Sequence, residues 1–504
     1  MKKKLFLQNT IILTISSLVL RAVSVSFGAY LSRKIGTEGM GLYQLVFSVY
    51  GFASTLATSG IYLTVTRLVA EAIAKKSYSD ANDTVRKCMI YAAFVSIASS
   101  LLLFFFAEFI ATEILNDKRT LLSLKLLAFA LPFMAFSATL RGYFFAIRNV
   151  IKSTGSQIFE QLVRMATVSM GLTLLLPKGL TYSCAAIALG SVTGELLAFL
   201  YTFFLYIKDR NNHVFVKKSK KENTKKVLSI TVPVALSSYL RSALVTIENI
   251  LIPKGLKRYG ATSGSALSQY GMIEAMVMPL LTFPSAFLTS FANLLIPELA
   301  QANATGDKAR INRLVSGVLK ITLLFSFPVT AFFITAGETL GLAVYKSAEA
   351  GITLQILAPL IPILYTDIVT DAMLKGLDKQ VNSLSFSIID SASSILLICL
   401  LIPIYGVKGY VIVIFATAFI NTVLSINCLI SFTEIPFSVK NSIFKPIFIS
   451  IISSFSIFTV FEQFEIPNPA LKSTLQILSM ALSYYLLLIV TKTIKPVHKG
   501  IYPL

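Results

Sequence analysis

The chain has 504 residues, 55% of them hydrophobic and 14% charged, with a formal net charge of +21. A soluble domain carries about a quarter charged residues. Here the apolar residues fall in long blocks, which excludes a large soluble core and indicates a polytopic membrane protein. The basic excess lies in short segments between those blocks, the pattern that sets membrane topology, so no nucleic acid partner is expected.

Catalytic chemistry is equally constrained. The two histidines, His213 and His498, lie in basic polar segments, and the four cysteines are scattered without paired spacing. Neither a metal site nor a disulfide framework is expected. No nucleophile–base constellation, GxxxxGK loop or HExxH motif occurs, and the longest hydrophilic stretch, 208–226, is too short to fold as an ATPase. The expectation is a protein that is not an enzyme, with no catalytic residues and no cofactor. Any energy it uses would come from an ion gradient, the membrane potential or consumption of product.

In chain order, fourteen all-α spans are expected. Six fall at 5–32, 42–70, 85–107, 121–147, 156–176 and 183–207. Six more fall at 227–252, 266–296, 312–336, 350–375, 381–403 and 407–432, and two follow at 442–461 and 470–491. Each is long enough to cross the hydrocarbon core. The opening Met1-Lys2-Lys3-Lys4 and its apolar run read as an uncleaved first helix, because the run continues past Arg21 and many similar segments follow. A tight turn at Gly36-Thr37-Glu38-Gly39-Met40-Gly41 separates the first two spans.

The Lys/Arg asymmetry gives an orientation. With the N-terminus inside, inner segments hold Lys75, Lys76, Arg86 and Lys87, then Arg148 and Lys152, then the dense 208–226 cluster, then Lys308, Arg310 and Arg313. Both termini come out cytoplasmic in a multi-pass protein of the cell membrane, and the Gly36–Gly41 turn comes out external. The expected domains are an N-terminal lobe at 1–207, a basic cytoplasmic linker at 208–226, a C-terminal lobe at 227–432, and two additional spans with a cytoplasmic tail at 433–504.

The two lobes look like copies. Glu71 matches Glu298, Asp80 matches Asp307 and Arg86 matches Arg313, all in one 227-residue register that also pairs Pro132 with Pro359. An even number of spans per copy makes the repeats parallel, and substrate sites in such proteins lie at the repeat interface near the midplane.

Charges inside spans are the candidate functional residues. Arg21 and Arg241 lie deep in the first and seventh spans and recur between the halves. Arg67, Glu248 and Glu274 join them as candidate substrate-binding residues. Arg67 and Arg141 lie nearer span ends, where a long side chain can snorkel to the interface. Glu160 and Arg164, four residues apart, are expected to form a structural ion pair. Asp367, Asp371 and Asp390 are read either as an ion site or as hydrated residues near a span end. Proline inside a span bends it, and Pro279 with Pro284 marks the eighth span as a bending element.

These residues also carry a resemblance. Leu20-Arg21 with Ile35-Gly36-Thr37-Glu38-Gly39-Met40-Gly41-Leu42-Tyr43 resembles the first helix pair of the polysaccharide-type flippases. So do Thr66-Arg67-Leu68-Val69-Ala70-Glu71, Leu140-Arg141-Gly142-Tyr143 and the run from Ser156 to Arg164. These flippases belong to the multidrug/oligosaccharidyl-lipid/polysaccharide exporter superfamily, and the nearest branch is that of the sporulation and Gram-positive lipid II flippases. The resemblance implies two six-helix lobes around a central cavity, alternating access, and a lipid-linked oligosaccharide as substrate. It implies a monomer among membrane lipids, and a peptidoglycan precursor such as lipid II as the cargo, for the cell wall or spore cortex. Arg21 and Arg241 would then bind the pyrophosphate. Departures from the lipid II flippases of Gram-negative bacteria fall at Phe27, where they carry a second arginine, and near Tyr43, where they carry an acid. The rival readings are an ion-coupled drug or metabolite exporter of the same fold, a membrane-embedded glycosyltransferase or polymerase, which the short outer loops disfavour, and a non-transporting envelope or spore assembly protein.

Overall fold

The computed structural model describes residues 2–74, 77–211, 223–433, 443–464, 466, 468–491 and 493. Most of the basic 208–226 linker, both histidines and the end of the C-terminal tail lie outside the described residues. Those described are helical almost throughout, with no strand among them. Among the described residues, nine helices are long and apolar enough to cross a membrane, eleven when each bent pair counts as one span. Two of the longest helical runs are each two spans joined at a non-helical glycine, Gly36 in one and Gly406 in the other. Lys2–Thr58 and Gln380–Phe432 therefore each supply one span more. Asn223–Tyr259, less apolar than the rest, completes fourteen.

We number these spans α1 (2–35), α2 (37–74), α3 (78–114), α4 (118–146), α5 (150–178), α6 (180–211) and α7 (223–259). The rest are α8 (263–304), α9 (308–345), α10 (348–376), α11 (380–405), α12 (407–432), α13 (445–462) and α14 (469–490). The fourteen expected spans are all present; the first eleven are longer than their apolar cores because polar ends extend the helix beyond the hydrocarbon, whereas the last three are no longer than expected. Helix starts are set by capping side chains. Ser77 Oγ accepts from the Asp80 amide at 3.4 Å ahead of α3, and Asp307 Oδ1 accepts from the Arg310 amide at 3.0 Å ahead of α9.

Two compact units result. One comprises residues 1–23 and 34–253, the other 24–33 and 254–504. In the first unit, Ile61, Val65 and Leu68 of α2, Val85 of α3, Leu140 and Phe144 of α4 and Val227 of α7 form a buried cluster. Polar tethers bind α7 to α2. Thr231 Oγ1 lies 2.8 Å from Thr64 Oγ1, the Tyr239 hydroxyl donates to the Leu56 carbonyl at 3.1 Å, and Thr246 Oγ1 donates to the Ser48 carbonyl at 3.2 Å. Gly60, at φ +77°, lets the chains approach there, because any Cβ would lie 2.6 Å from the Thr231 carbonyl oxygen.

The second unit is held by a different set of bonds. Arg33 Nε donates to the Val344 carbonyl at 3.0 Å and its Nη2 to Ala343 at 2.9 Å, so the 24–33 segment satisfies carbonyls left open at the end of α9. The irregular middle of α8, which bends by 59° at Pro284, is supported by buried tyrosines. Tyr345 donates to the Met276 carbonyl at 2.6 Å and Tyr365 to Leu281 at 2.9 Å. These bonds occupy carbonyls in a stretch where proline and a π-turn disturb the helical ladder. The α13–α14 hairpin joins this unit through hydroxyls: Thr335 Oγ1 lies 2.6 Å from Ser454 Oγ, and the Tyr484 hydroxyl donates to the Leu324 carbonyl at 3.0 Å.

The breaks between spans recur in matching places. Gly36 and Gly260, Asn116 and Lys346, Arg148 and Asp378, and Gly179 and Gly406 all take positive φ. They mark the α1/α2 and α7/α8, α3/α4 and α9/α10, α4/α5 and α10/α11, and α5/α6 and α11/α12 turns in turn. Asn116 to Lys346 and Arg148 to Asp378 are equal separations, slightly longer than 227 residues. In that local register Pro132 stands opposite Pro362 rather than Pro359, both in the first turn of the helix that completes their span.

Candidate functional site

Arg21 lies in mid-α1 and is half-buried; Arg241 lies at the middle of α7 and is exposed. Both belong to the first unit. On α7 the tethers Tyr239 and Thr246 share the face turned to α2. Arg241 falls on the opposite face, and Glu248, seven residues on, falls there with it. Exposed apolar neighbours, including Leu236 and Leu240, flank it. A guanidinium on an open face at membrane depth is stable only beside water or an anion.

The other candidates are more scattered. Arg67 Nε lies 3.3 Å from Glu71 Oε1, one turn away, and the arginine side chain is 62% exposed. Glu274 belongs to the second unit, where the Tyr410 hydroxyl donates to its carboxylate. Asn421 Nδ2 donates to Asp367 Oδ1 at 3.0 Å, and Asp371 holds Lys375 at 2.6 Å and the Ser383 hydroxyl. Among the described residues, no group of three or more His, Cys, Asp or Glu is placed to hold a metal ion.

The densest charge cluster lies inside the first unit. Glu160 on α5 accepts from Arg164 Nη2 at 2.5 Å and from Arg141 Nη2 on α4 at 2.8 Å. Glu195 on α6 completes it, with carboxylate oxygens 3.8 Å from each of those guanidinium nitrogens. Arg141 therefore does not snorkel; its side chain is 16% exposed and turns inward, because Glu160 offers a nearer acceptor than the interface.

Small residues build the cluster. Gly190 and Gly194 line the α6 surface that meets α5, a spacing that lets two membrane helices approach closely. A Cβ at Gly194 would lie 3.2 Å from the Glu160 carbonyl oxygen and 3.3 Å from Arg164 Cβ; one at Gly190 would overlap Val168. Gly171 faces Ala186 on the same seam. Glu195 follows Gly194 directly and so is carried against Glu160 and Arg164. Sequence reasoning named the Glu160–Arg164 pair and missed Glu195 and the Arg141 contact. The signal was the Gly190-Ser191-Val192-Thr193-Gly194 run beside an acid inside a span.

A second cluster fixes the first interhelical turn. Arg119 binds Asp117 Oδ2 at 2.7 Å and Glu38 Oε1 at 2.8 Å, just past Gly36, whose φ of +69° suits glycine.

A sequence profile described as polysaccharide biosynthesis protein matches residues 6–303. Stage V sporulation protein B of Bacillus subtilis (strain 168) is 28% identical over 417 residues, spanning 81% of this chain and 80% of that protein. The lipid II flippase MurJ of the same organism is 20% identical and covers 66% of this chain and 65% of its own. Among solved structures, a lipid II flippase MurJ in an inward closed conformation matches with a TM-score of 0.70 at 13% identity, over 95% of this chain and 98% of that one. An inward-facing multidrug resistance MATE family transporter of the MOP superfamily matches at 0.60 and 13% identity, over 83% and 98%. These likenesses show the fold, and the profile match, which spans more than half of the sequence, shows the family. The chain belongs to the polysaccharide biosynthesis protein family, on the helical fold shared by MurJ and the MATE transporters.

Proposed function

We propose that this protein is a flippase that moves a lipid-linked saccharide across the cytoplasmic membrane by alternating access, the cargo being a peptidoglycan-type precursor such as lipid II. The observation that carries the reading is the pair of arginines in mid-span, one half-buried and one on an open helix face. A lipid-linked saccharide presents an anionic pyrophosphate at that depth while its tail stays in the bilayer. Arginine matches it through bidentate, charge-assisted hydrogen bonds. The similarity to a lipid II flippase supports the same cargo class. Both termini and the 208–226 linker face the cytoplasm in this reading, and the lobes at 1–207 and 227–432 supply the two halves of the transport cycle.

Depletion tests it. Cells lacking the protein, and lacking any relative that substitutes for it, are expected to accumulate lipid-linked precursor on the cytoplasmic leaflet, as read by a sidedness assay. An unchanged leaflet distribution would contradict the reading. A drug exporter of the same fold would leave precursor sidedness normal and alter sensitivity to its own cargo.

A further inference from the structure

The turns that end α7 and α11 frame a cavity of about 600 Å³ in the second unit. Glycine contacts set its walls. A Cβ at Gly255 would lie 2.9 Å from Ile402 Cγ2, and one at Gly406 would lie 2.7 Å from Tyr259 Cδ1, so the end of α7 is seated on the end of α11. Gly406 takes a φ of +58°, and a Cβ at Gly409 would lie 2.5 Å from the Leu401 carbonyl oxygen. These two glycines fix the turn that carries Lys408 between them. Across the cavity, Thr262 Oγ1 accepts from the Ser265 amide at 3.2 Å at the start of α8, and Ser265 and Gln269 follow one turn apart on one face.

Tyr259 and Tyr405 line the cavity and are 56% and 53% exposed. Ser265 and Gln269 bring a hydroxyl and an amide, groups that both donate and accept. Lys408 is the one charged side chain among the described residues of the wall. Residues 254–262 and 403–409 hold Lys254, Lys257, Arg258 and Lys408 and no acid. In the orientation given by the Lys/Arg asymmetry these turns lie on the outer side, where basic residues do not serve topology.

We propose that this cavity binds an acidic saccharide. An exposed tyrosine ring packs against the apolar C–H face of a pyranose. The Ser265 hydroxyl and the Gln269 amide match sugar hydroxyl and acetamido groups, and Lys408 meets a carboxylate through a charge-assisted hydrogen bond. The volume falls within the roughly 300–1,000 Å³ of small-molecule sites. A lipid headgroup is the competing occupant, since tyrosine and lysine also gather at membrane interfaces. The walled cavity and the Ser265–Gln269 pair favour the saccharide. The site is separate from Arg21 and Arg241, and its chemistry does not rest on the flippase reading; its placement on the outer side rests on the Lys/Arg orientation.

Binding is measured without transport, so failure here and failure of the flippase reading are distinguishable. The chain has no tryptophan, so Tyr405→Trp makes a single fluorescent reporter on the cavity wall. In purified full-length protein in lipid nanodiscs, its emission is expected to shift saturably with the soluble disaccharide of N-acetylglucosamine and N-acetylmuramic acid. Neutral di-N-acetylglucosamine is expected to bind about tenfold more weakly, and Lys408→Gln to erase that difference at an unchanged unfolding midpoint. Saturation-transfer NMR on the chain with Tyr405 intact is expected to give the same ranking, so a tryptophan that blocks the cavity cannot hide the result. Flipping of a lipid-linked saccharide in vesicles separates two sources of the ligand. Lys408→Gln slows it when the cargo's own sugar docks in the cavity, and leaves it unchanged when the ligand is glycan already outside. Saccharide that alters neither signal, or binding indifferent to the acid and to Lys408, would overturn the proposal. So would an emission that follows the anionic lipid content of the nanodisc instead of the added saccharide.

Discussion

At the scale of single residues, arginines of this chain fall into two kinds, and substitution separates them. Arg141 and Arg164 each hold Glu160 inside a span. Removing one guanidinium leaves a buried carboxylate short of its partner, which costs about 3–5 kcal/mol. Arg164→Leu is therefore expected to lower abundance and the unfolding midpoint of purified protein severely, and Arg141→Leu likewise. Arg67 is the contrast. Its ion pair with Glu71 is exposed, and such pairs contribute no more than about 0.5–1 kcal/mol. Arg67→Ala is expected to leave the unfolding midpoint nearly unchanged. Any loss of transport in that variant then reports on substrate handling, and normal transport removes Arg67 from the substrate path. A large loss of stability on Arg67→Ala would contradict the geometry.

At the scale of elements, the α5–α6 seam is the most sensitive to added volume. Gly190→Leu places a side chain where Val168 already sits, and overpacking of this kind costs about 1–3 kcal/mol or more. Gly155→Ala, on the same helix pair but with open space around the glycine, is expected to be neutral or mildly stabilising. Equal effects of the two on unfolding would remove the close-approach account. Much of this level was legible in the sequence. Long apolar blocks gave the spans, the Gly36 break gave the first hairpin, and the i,i+4 spacing of Glu160 and Arg164 gave their pair. Other contacts were hidden because they join distant positions: Arg33 to the end of α9, Arg119 to Glu38, and Arg141 and Glu195 to Glu160. Spacing along one helix reveals neighbours on that helix; it says nothing about which acid waits on the next one. The repeat was visible in part, and its local register needed the positive-φ turns, because insertions shift the match between Asn116 and Arg148.

At the scale of the whole molecule, the sequence halves and the compact units are drawn differently. The 24–33 segment is bonded into the unit of residues 254–504, and the chain up to Pro253 into the other. The tethers of α7 to α2 lie within the first unit and those of Arg33 to α9 within the second, and none is visible as a motif. The consequence for the proposed site is that Arg21 and Arg241, 220 positions apart, belong to one unit. Purified protein in vesicles, supplied with a fluorescent lipid-linked pyrophosphate saccharide, measures the central claim directly through the rate at which label becomes accessible on the opposite leaflet. Arg21→Ala and Arg241→Ala are each expected to slow that rate about tenfold or more at equal reconstituted amounts, with Lys restoring it only in part because the bidentate fork is lost. A double Ala variant that moves the label at the wild-type rate would contradict the assignment of these arginines to the cargo.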